Sequence, residues 1–232
     1  MKEIKLGEKI VSWLKNKDWE VYQEVTIWGK IADIIAVKNE KIWIIECKTS
    51  LNFGLIEQAD HWKNYAHYTS IAIPQSSKRI KGHNLAYNIC MERGIGVLKL
   101  NYYRGIYNYE EHWSVMERSK PKLNERADHW AKQIKSKLLE EHKTYSKAGS
   151  PGNTKRFTLF KKTCMELTDI VRDNPGIELK EAISKIKHHY KNDRSAIGSM
   201  LKYFKSKKKI IENIRMEIDG KKIKLYFTGS QK

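Results

Sequence analysis

Cysteine is scarce: three residues in 232, at positions 47, 90 and 164. They are too few, too far apart and odd in number for a disulfide framework or a zinc knuckle, so reduced buried thiols and no structural zinc are expected. Long apolar runs are also missing. The opening "MKEIKLGEKIVSWLKNK" is amphipathic and charged throughout, unlike a signal peptide, and no later stretch approaches the ~20 apolar residues of a membrane span. A soluble, cytoplasmic protein with no membrane partner is the expectation. Acidic residues are in deficit, 27 against 45 Lys and Arg, and the resulting charge of +18 calls for a polyanionic partner, nucleic acid before a membrane surface.

With 40% hydrophobic residues the chain can bury one sizeable core or two modest ones, which excludes disorder throughout. Charge is uneven along it. Residues 1–150 hold 25 basic and 18 acidic side chains, whereas the much shorter 151–232 holds 20 and 9. Between them "YSKAGSPGNT" breaks any helix at Gly149, Ser150, Pro151 and Gly152. The division expected is a first domain over 1–120, a connecting helix and linker over 121–153, and a second domain over 154–232.

Leu6, Ile10, Val11 and Leu14 recur at helical spacing, and three β-rich runs follow, "WEVYQEVTI", "IADIIAV" and "KIWIIECKT". A helix over 55–68, a strand in "SIAIP", a helix in "GHNLAYNICMERG" and a strand in "IGVLKL" complete an α/β pattern with a mixed sheet. "PKLNERADHWAKQIKSKLLEEHKTY" reads as one long polar helix, since Pro121 suits a first turn. The tetrapeptide "ADHW" occurs twice, at 59–62 and 127–130, with unlike flanks and no period, and is taken as coincidence.

Asn39 and Glu40 join two of the strands in a two-residue hairpin, which pairs Lys38 with Lys41 and sets Asp33 opposite Glu46. Opposed residues have Cβ atoms roughly 5 Å apart on one face, and Lys48 joins that face through the two-residue alternation. The flanking Ile31, Ile34, Ile35, Val37, Ile44 and Ile45 mark buried central strands. Two like charges there destabilise the fold unless a cation lies between them. Two carboxylates, waters and a phosphate oxygen suit Mg2+, with Mn2+ as a substitute, and the carbonyl of Cys47 is a further candidate ligand. Lys48 can orient the attacking water and offset charge on a scissile phosphate, which together describe phosphodiester hydrolysis. The plainer alternative is a buried ionic cluster of Asp33, Glu46, Lys48 and a neighbouring Arg. His61, His67, His83 and His129 have no catalytic spacing and read as solvated or packing residues.

Asp33 followed by Glu46-Cys47-Lys48 at the end of the next strand resembles the core motif of the PD-(D/E)XK nuclease superfamily, over roughly residues 1–100. The resemblance implies a restriction-endonuclease-like α/β core. It further implies that an acidic residue of the first helix, here Glu8, assists the metal, and that a Gln on the helix after the motif strand, here Gln58, joins the site. Two departures stand out: Ala32 occupies the place of the usual Pro, and Trp62 the place of the Tyr that follows the Gln in relatives of RecB. An exposed helical Glu and a surface Gln are ordinary features in themselves.

Residues 154–232 read as three helices and a hairpin, with Leu159, Phe160, Cys164, Leu167 and Val171 along the first stripe and Leu179, Ile183 and Ile186 on the second. Asp193 is the expected cap of a third helix carrying Ile197, Met200, Leu201 and Phe204 inward. Asp219-Gly220 reads as the turn, giving Met216 opposite Ile223 and Ile214 opposite Leu225. The set resembles a winged helix-turn-helix. That implies duplex DNA contacts from Arg194, Ser195, Ser199, Lys202 and Tyr203, with Lys205, Lys207, Lys208, Lys209, Lys221 and Lys222 neutralising phosphates. A solvated lysine face, or a winged helix used for protein contact, is the plainer alternative.

Together these readings describe an Mg2+-dependent DNA endonuclease of restriction type, expected as a homodimer because two strands need two sites. The rivals are a structure-selective nuclease of repair, recombination or transposition, and a non-catalytic DNA-binding regulator on a nuclease scaffold.

Overall fold

The computed structural model describes residues 1–76, 82–104, 111–150, 157–205, 213–220 and 222–229. The chain forms two compact units, Met1–Phe157 and Thr158–Lys232. Lys207, Lys208, Lys209 and Lys221, like Pro151 and Gly152, lie outside the described residues. Among the described residues no helix is long and apolar enough to cross a membrane.

The first unit is an α/β fold on a mixed six-stranded sheet in sequential order: β1 (Glu20–Ile27), β2 (Lys30–Lys38), β3 (Lys41–Cys47), β4 (Tyr68–Pro74), β5 (Gly96–Arg104) and β6 (Glu111–Ser119). The outer pairs β1/β2, β2/β3 and β5/β6 are antiparallel, while β3/β4 and β4/β5 run parallel. Parallel neighbours need crossovers, and α2 (Phe53–Trp62) and α3 (His83–Glu92) supply them. The apolar stripe Leu6, Ile10, Val11 and Leu14 of α1 (Glu3–Lys15) packs against Ile34, Ala36 and Ile45. Trp62 of α2 shares a second core with Ile35, Ile42, Ile44, and Ala131 and Ile134 of α4 (Asp128–Lys135), while Leu55 and Ala59 pack with Ile71 and Val97 in a third. The central strands are therefore apolar on both faces, as their composition predicts.

The β2/β3 hairpin follows the expected register, Lys38 opposite Lys41, with Asn39 and Glu40 at φ 46° and 64° as a type I′ turn demands. The expected helix over 55–68 ends at Trp62, just before Lys63, whose carbonyl accepts a 2.9 Å bond from Asn124 Nδ2. The single long helix expected over 121–145 is absent. Lys122 and Asn124 donate their backbone N–H groups to Gly94 and His67, which holds 121–124 extended, and helix follows only over α4. Tertiary pairing has overridden helical propensity there. The half-exposed edge strand β6 was not foreseen.

Residues 143–150 return to the first unit. Lys143 bonds Glu20 at 2.5 Å, Gln23 Nε2 donates to the Lys143 carbonyl at 3.0 Å, and Ala148 N donates to Gln23 Oε1 at 3.1 Å. Ala148 is fully buried against α1, where Gly7 leaves no room for even a Cβ. Gly149, at φ 75°, sits with its would-be Cβ 2.8 Å from the Glu3 backbone. The stretch expected as linker is thus, up to Ser150, part of the first unit's core.

The second unit contains α5 (Leu159–Asp173), β7 (Ile177–Glu178), α6 (Leu179–Ser184), α7 (Asp193–Lys205), β8 (Ile214–Asp219) and β9 (Lys222–Phe227). The three strands form an antiparallel sheet in the order β7-β9-β8 over a core that includes Leu167, Val171, Ile183, Met200 and Leu225. Thr158 caps α5. The cap of α7 is Asn192, whose side chain accepts from Ser195 N at 2.9 Å, while the expected Asp193 pairs with His188 instead. The hairpin is offset by two residues from expectation: Met216 faces Leu225, Ile214 faces Phe227 and Ile218 faces Ile223. Asp219 and Lys222 close the turn, so Gly220, at φ 60°, stands first in the loop, and the even offset preserves which face each side chain takes.

Candidate active site

Ile34 pairs with Ile45, and one step further along that register Asp33 stands across from Glu46. Their carboxyls lie close enough for each to act on the other's titration. Asp33 Oδ2 also accepts from Cys47 N at 2.8 Å, and Glu46 Oε1 accepts from Trp62 Nε1 at 2.6 Å. Glu46 is only 3% exposed.

Burial, opposed in part by the Cys47 amide and reinforced by Glu24, raises the Asp33 carboxyl to about 7. Burial first, then the charge of Asp33, pushes Glu46 well above the ordinary carboxylate range, while the Trp62 indole pulls the other way. Two buried carboxyls this close cannot both ionise cheaply, so each holds its proton more tightly than a free carboxyl does. Burial and the same carboxylates push the Cys47 thiol up, and it belongs to the apolar core under α1.

Lys48 follows at the strand end, its N–H donating to Ala72 O at 3.0 Å as the parallel pairing finishes. Its side chain is half-buried, and among the described residues no ion pair involves its ammonium. Beyond it a groove of about 710 Å³ opens at the C-terminal ends of β3 and β4, lined by Thr49, Ser50, Pro74, Gln75, Lys5 and Trp113 among others. That is where open α/β sheets present ligand sites. Asp33 and Glu46 are not among the residues that line this groove.

Glu8 is ion-paired with Lys147 of the returning segment, and Gln58 is exposed on α2, so the α2 side chain that reaches Glu46 is Trp62. Two acids were missed. Glu3, on α1, is close enough for its charge to raise Asp33 and Cys47. Glu24 is 1% exposed on β1, where Gln23 pairs with Ile34 and Val25 with Ala32, leaving Glu24 across from Asp33 at φ 53°. Its Oε1 accepts from Ser150 N at 3.2 Å. Glu24, Asp33 and Glu46 thus form a carboxylate row across three adjacent strands. The signal for Glu24 in the sequence was a charge inside the apolar run "VYQEVTI".

The row offers hard oxygen donors, and no thiol or imidazole is recorded bonding to either Asp33 or Glu46 among the described residues. Among the described residues no group of three or more His, Cys, Asp or Glu side chains is placed to hold a metal ion, while the oxygens of Asp33 and Glu46 are the donor type that Mg2+ or Mn2+ takes.

In the second unit Arg194, Ser195, Lys202 and Lys205 are exposed along α7. Ser199 is half-buried and bonded to Tyr190 at 2.8 Å, and Tyr203 stacks on Phe160 at 4.1 Å between centroids. Lys222 is exposed and lies 3.4 Å from Glu178. Compared with protein-family models, curated proteins and solved structures, the chain matches none.

Proposed function

We propose that the protein is a metal-dependent DNA endonuclease of the PD-(D/E)XK type whose second unit is a winged-helix DNA-binding domain. The observation that carries the reading is the buried contact between Asp33 and Glu46 on neighbouring strands, with Lys48 two residues on. A buried, closely spaced carboxyl pair is costly to ionise without a cation beside it, and among the described residues no ion pair reaches Lys48, as the plainer ionic cluster would require. Asp33 and Glu46 would hold Mg2+, with the Cys47 carbonyl the remaining candidate. The ion, when bound, supplies Lewis acidity and a water of lowered pKa. Lys48 offsets the charge that grows on the scissile phosphate, and Trp62 fixes the Glu46 rotamer.

The helix, strand, helix, helix, strand, strand order of the second unit, with β9 between β7 and β8, supports the winged-helix reading. On it, Arg194, Ser195, Lys202 and Lys205 carry the DNA contacts, while Ser199 and Tyr203 stiffen the helix. Duplex cleavage by two sites makes a homodimer the natural active form.

The test is incubation of the purified protein with methylated and unmethylated plasmid DNA and with forked and four-way junctions, in Mg2+ or EDTA. Metal-dependent cutting that disappears in Lys48→Ala, while DNA affinity survives, supports the reading; discrete plasmid fragments favour the restriction-type enzyme, and cutting confined to junctions the structure-selective one. DNA binding without cleavage of any substrate would overturn it in favour of the regulator.

A further inference from the structure

We propose that the β1/β2 hairpin tip and the first turn of α4 form a stacking platform for unpaired nucleobases beside the candidate active site. Trp28, Tyr65 and Trp130 pack on one another with centroids 5.1 to 5.4 Å apart. Two of the three contacts are edge-to-face, at 81° and 84°, a geometry that fixes the rings. Trp28 is nevertheless 43% exposed and Trp130 37%. A cluster serving only to cover the core would bury them.

The turn itself carries a second observation. Trp28 and Gly29 are the two loop residues between paired Ile27 and Lys30, at φ 47° and 79°, which is a type I′ turn. The first position of that turn favours Asn, Asp or Gly, and a tryptophan there is strained. Strain at an exposed aromatic points to a role outside the fold's own stability.

The two copies of "ADHW" converge on this spot. His129 lies 5.2 Å from Trp130, and His61 lies 4.8 Å from Trp62 and 5.3 Å from Tyr65. Since Trp62 bonds Glu46, a continuous line of rings runs from the carboxylate row to the exposed tryptophans. Burial first and then the charge of exposed Lys30 lower the His61 pKa, and that nearby ammonium gives the platform cationic character as well as π faces. Aromatic faces with a basic border are how proteins grip single strands without reading sequence. A base-paired duplex keeps its bases inside and cannot use them, so the occupant is an unpaired strand, as at a fork, flap or junction. The inference takes its ligand class from the function proposed above but needs none of its chemistry.

The test is fluorescence anisotropy of the full-length protein in EDTA with a labelled thymidine strand and a labelled blunt duplex. Trp28→Asn is the informative variant because Asn suits the turn, so its thermal melt should equal or exceed that of the parent. Its affinity for the strand, and that of Trp130→Ala, should fall by roughly tenfold or more with duplex binding unchanged, and Trp28→Phe should retain strand binding. Strand binding by Trp28→Asn equal to the parent's, or an equal loss on strand and duplex, would overturn the platform. Absence of cleavage by the parent alongside a selective strand defect in Trp28→Asn would sink the nuclease chemistry and leave the platform standing.

Discussion

The raised proton affinity of Asp33 and Glu46 makes this site measurable before any substrate is known. Both carboxyls bind protons more tightly folded than unfolded, Asp33 raised to about 7 and Glu46 raised well above the ordinary carboxylate range. Their stabilising contribution is therefore complete below the unfolded carboxylate pKa and is lost as pH rises through about 7. Metal-free protein should melt at lower temperature at pH 8 than at pH 5.5. Asp33→Asn should flatten that slope, and Mg2+ should raise the melting temperature more at pH 8 than at pH 5.5 because it competes with protons for the pair. A melt indifferent to Mg2+ at pH 8 would argue for a buried pair with no metal role. The facing of Asp33 and Glu46 was legible because a two-residue loop leaves only one simple register. Glu24 was not, because its place depends on a left-handed backbone angle and on Ser150, more than a hundred residues away. Trp62 was noticed as a departure from a pattern, but its bond to Glu46 is a tertiary fact.

At the level of elements, local signals fared well where a stripe or a tight turn decides the outcome, as in α1, β2, β3 and α5. They failed where distant backbone competes. Lys122 and Asn124 satisfy Gly94 and His67 instead of starting a helix, and the alternation of β6 is too exposed to stand out. The C-terminal hairpin slipped by two because Gly220 was placed second in the loop rather than first. The fit of residues 146–150 onto α1 gives a prediction whose sign runs against helix propensity. Gly7→Ala in a helix interior ordinarily gains about 1 kcal/mol. Here the added methyl meets Ala148, and overpacking of a close core contact costs about 1–3 kcal/mol, so the variant should be net destabilised in chemical denaturation. Unchanged or increased stability would show that the returning segment is not held where the structure has it.

For the whole molecule, charge is divided unevenly along the chain. The shorter C-terminal part carries the larger cationic excess, and Lys202 and Lys205 are exposed on α7. If they contact phosphates, Lys202→Ala and Lys205→Ala should each lower the slope of log affinity against log salt by about 1, with cleavage per bound complex intact. An unaltered slope would remove α7 from the interface. The return of residues 143–150 has a mechanical consequence as well. The stretch is clamped by Lys147 to Glu8, by Ala148 to α1 and by the Ser150 amide to Glu24, and the first unit ends beyond it at Phe157, a buried ring 5.0 Å from Tyr145 and 6.0 Å from His142 between centroids. A pull on the chain beyond Phe157 is therefore met first by that buried ring, and the Ser150 amide on Glu24 stands behind it as a second catch, so the carboxylate row is shielded from tension by an aromatic anchor.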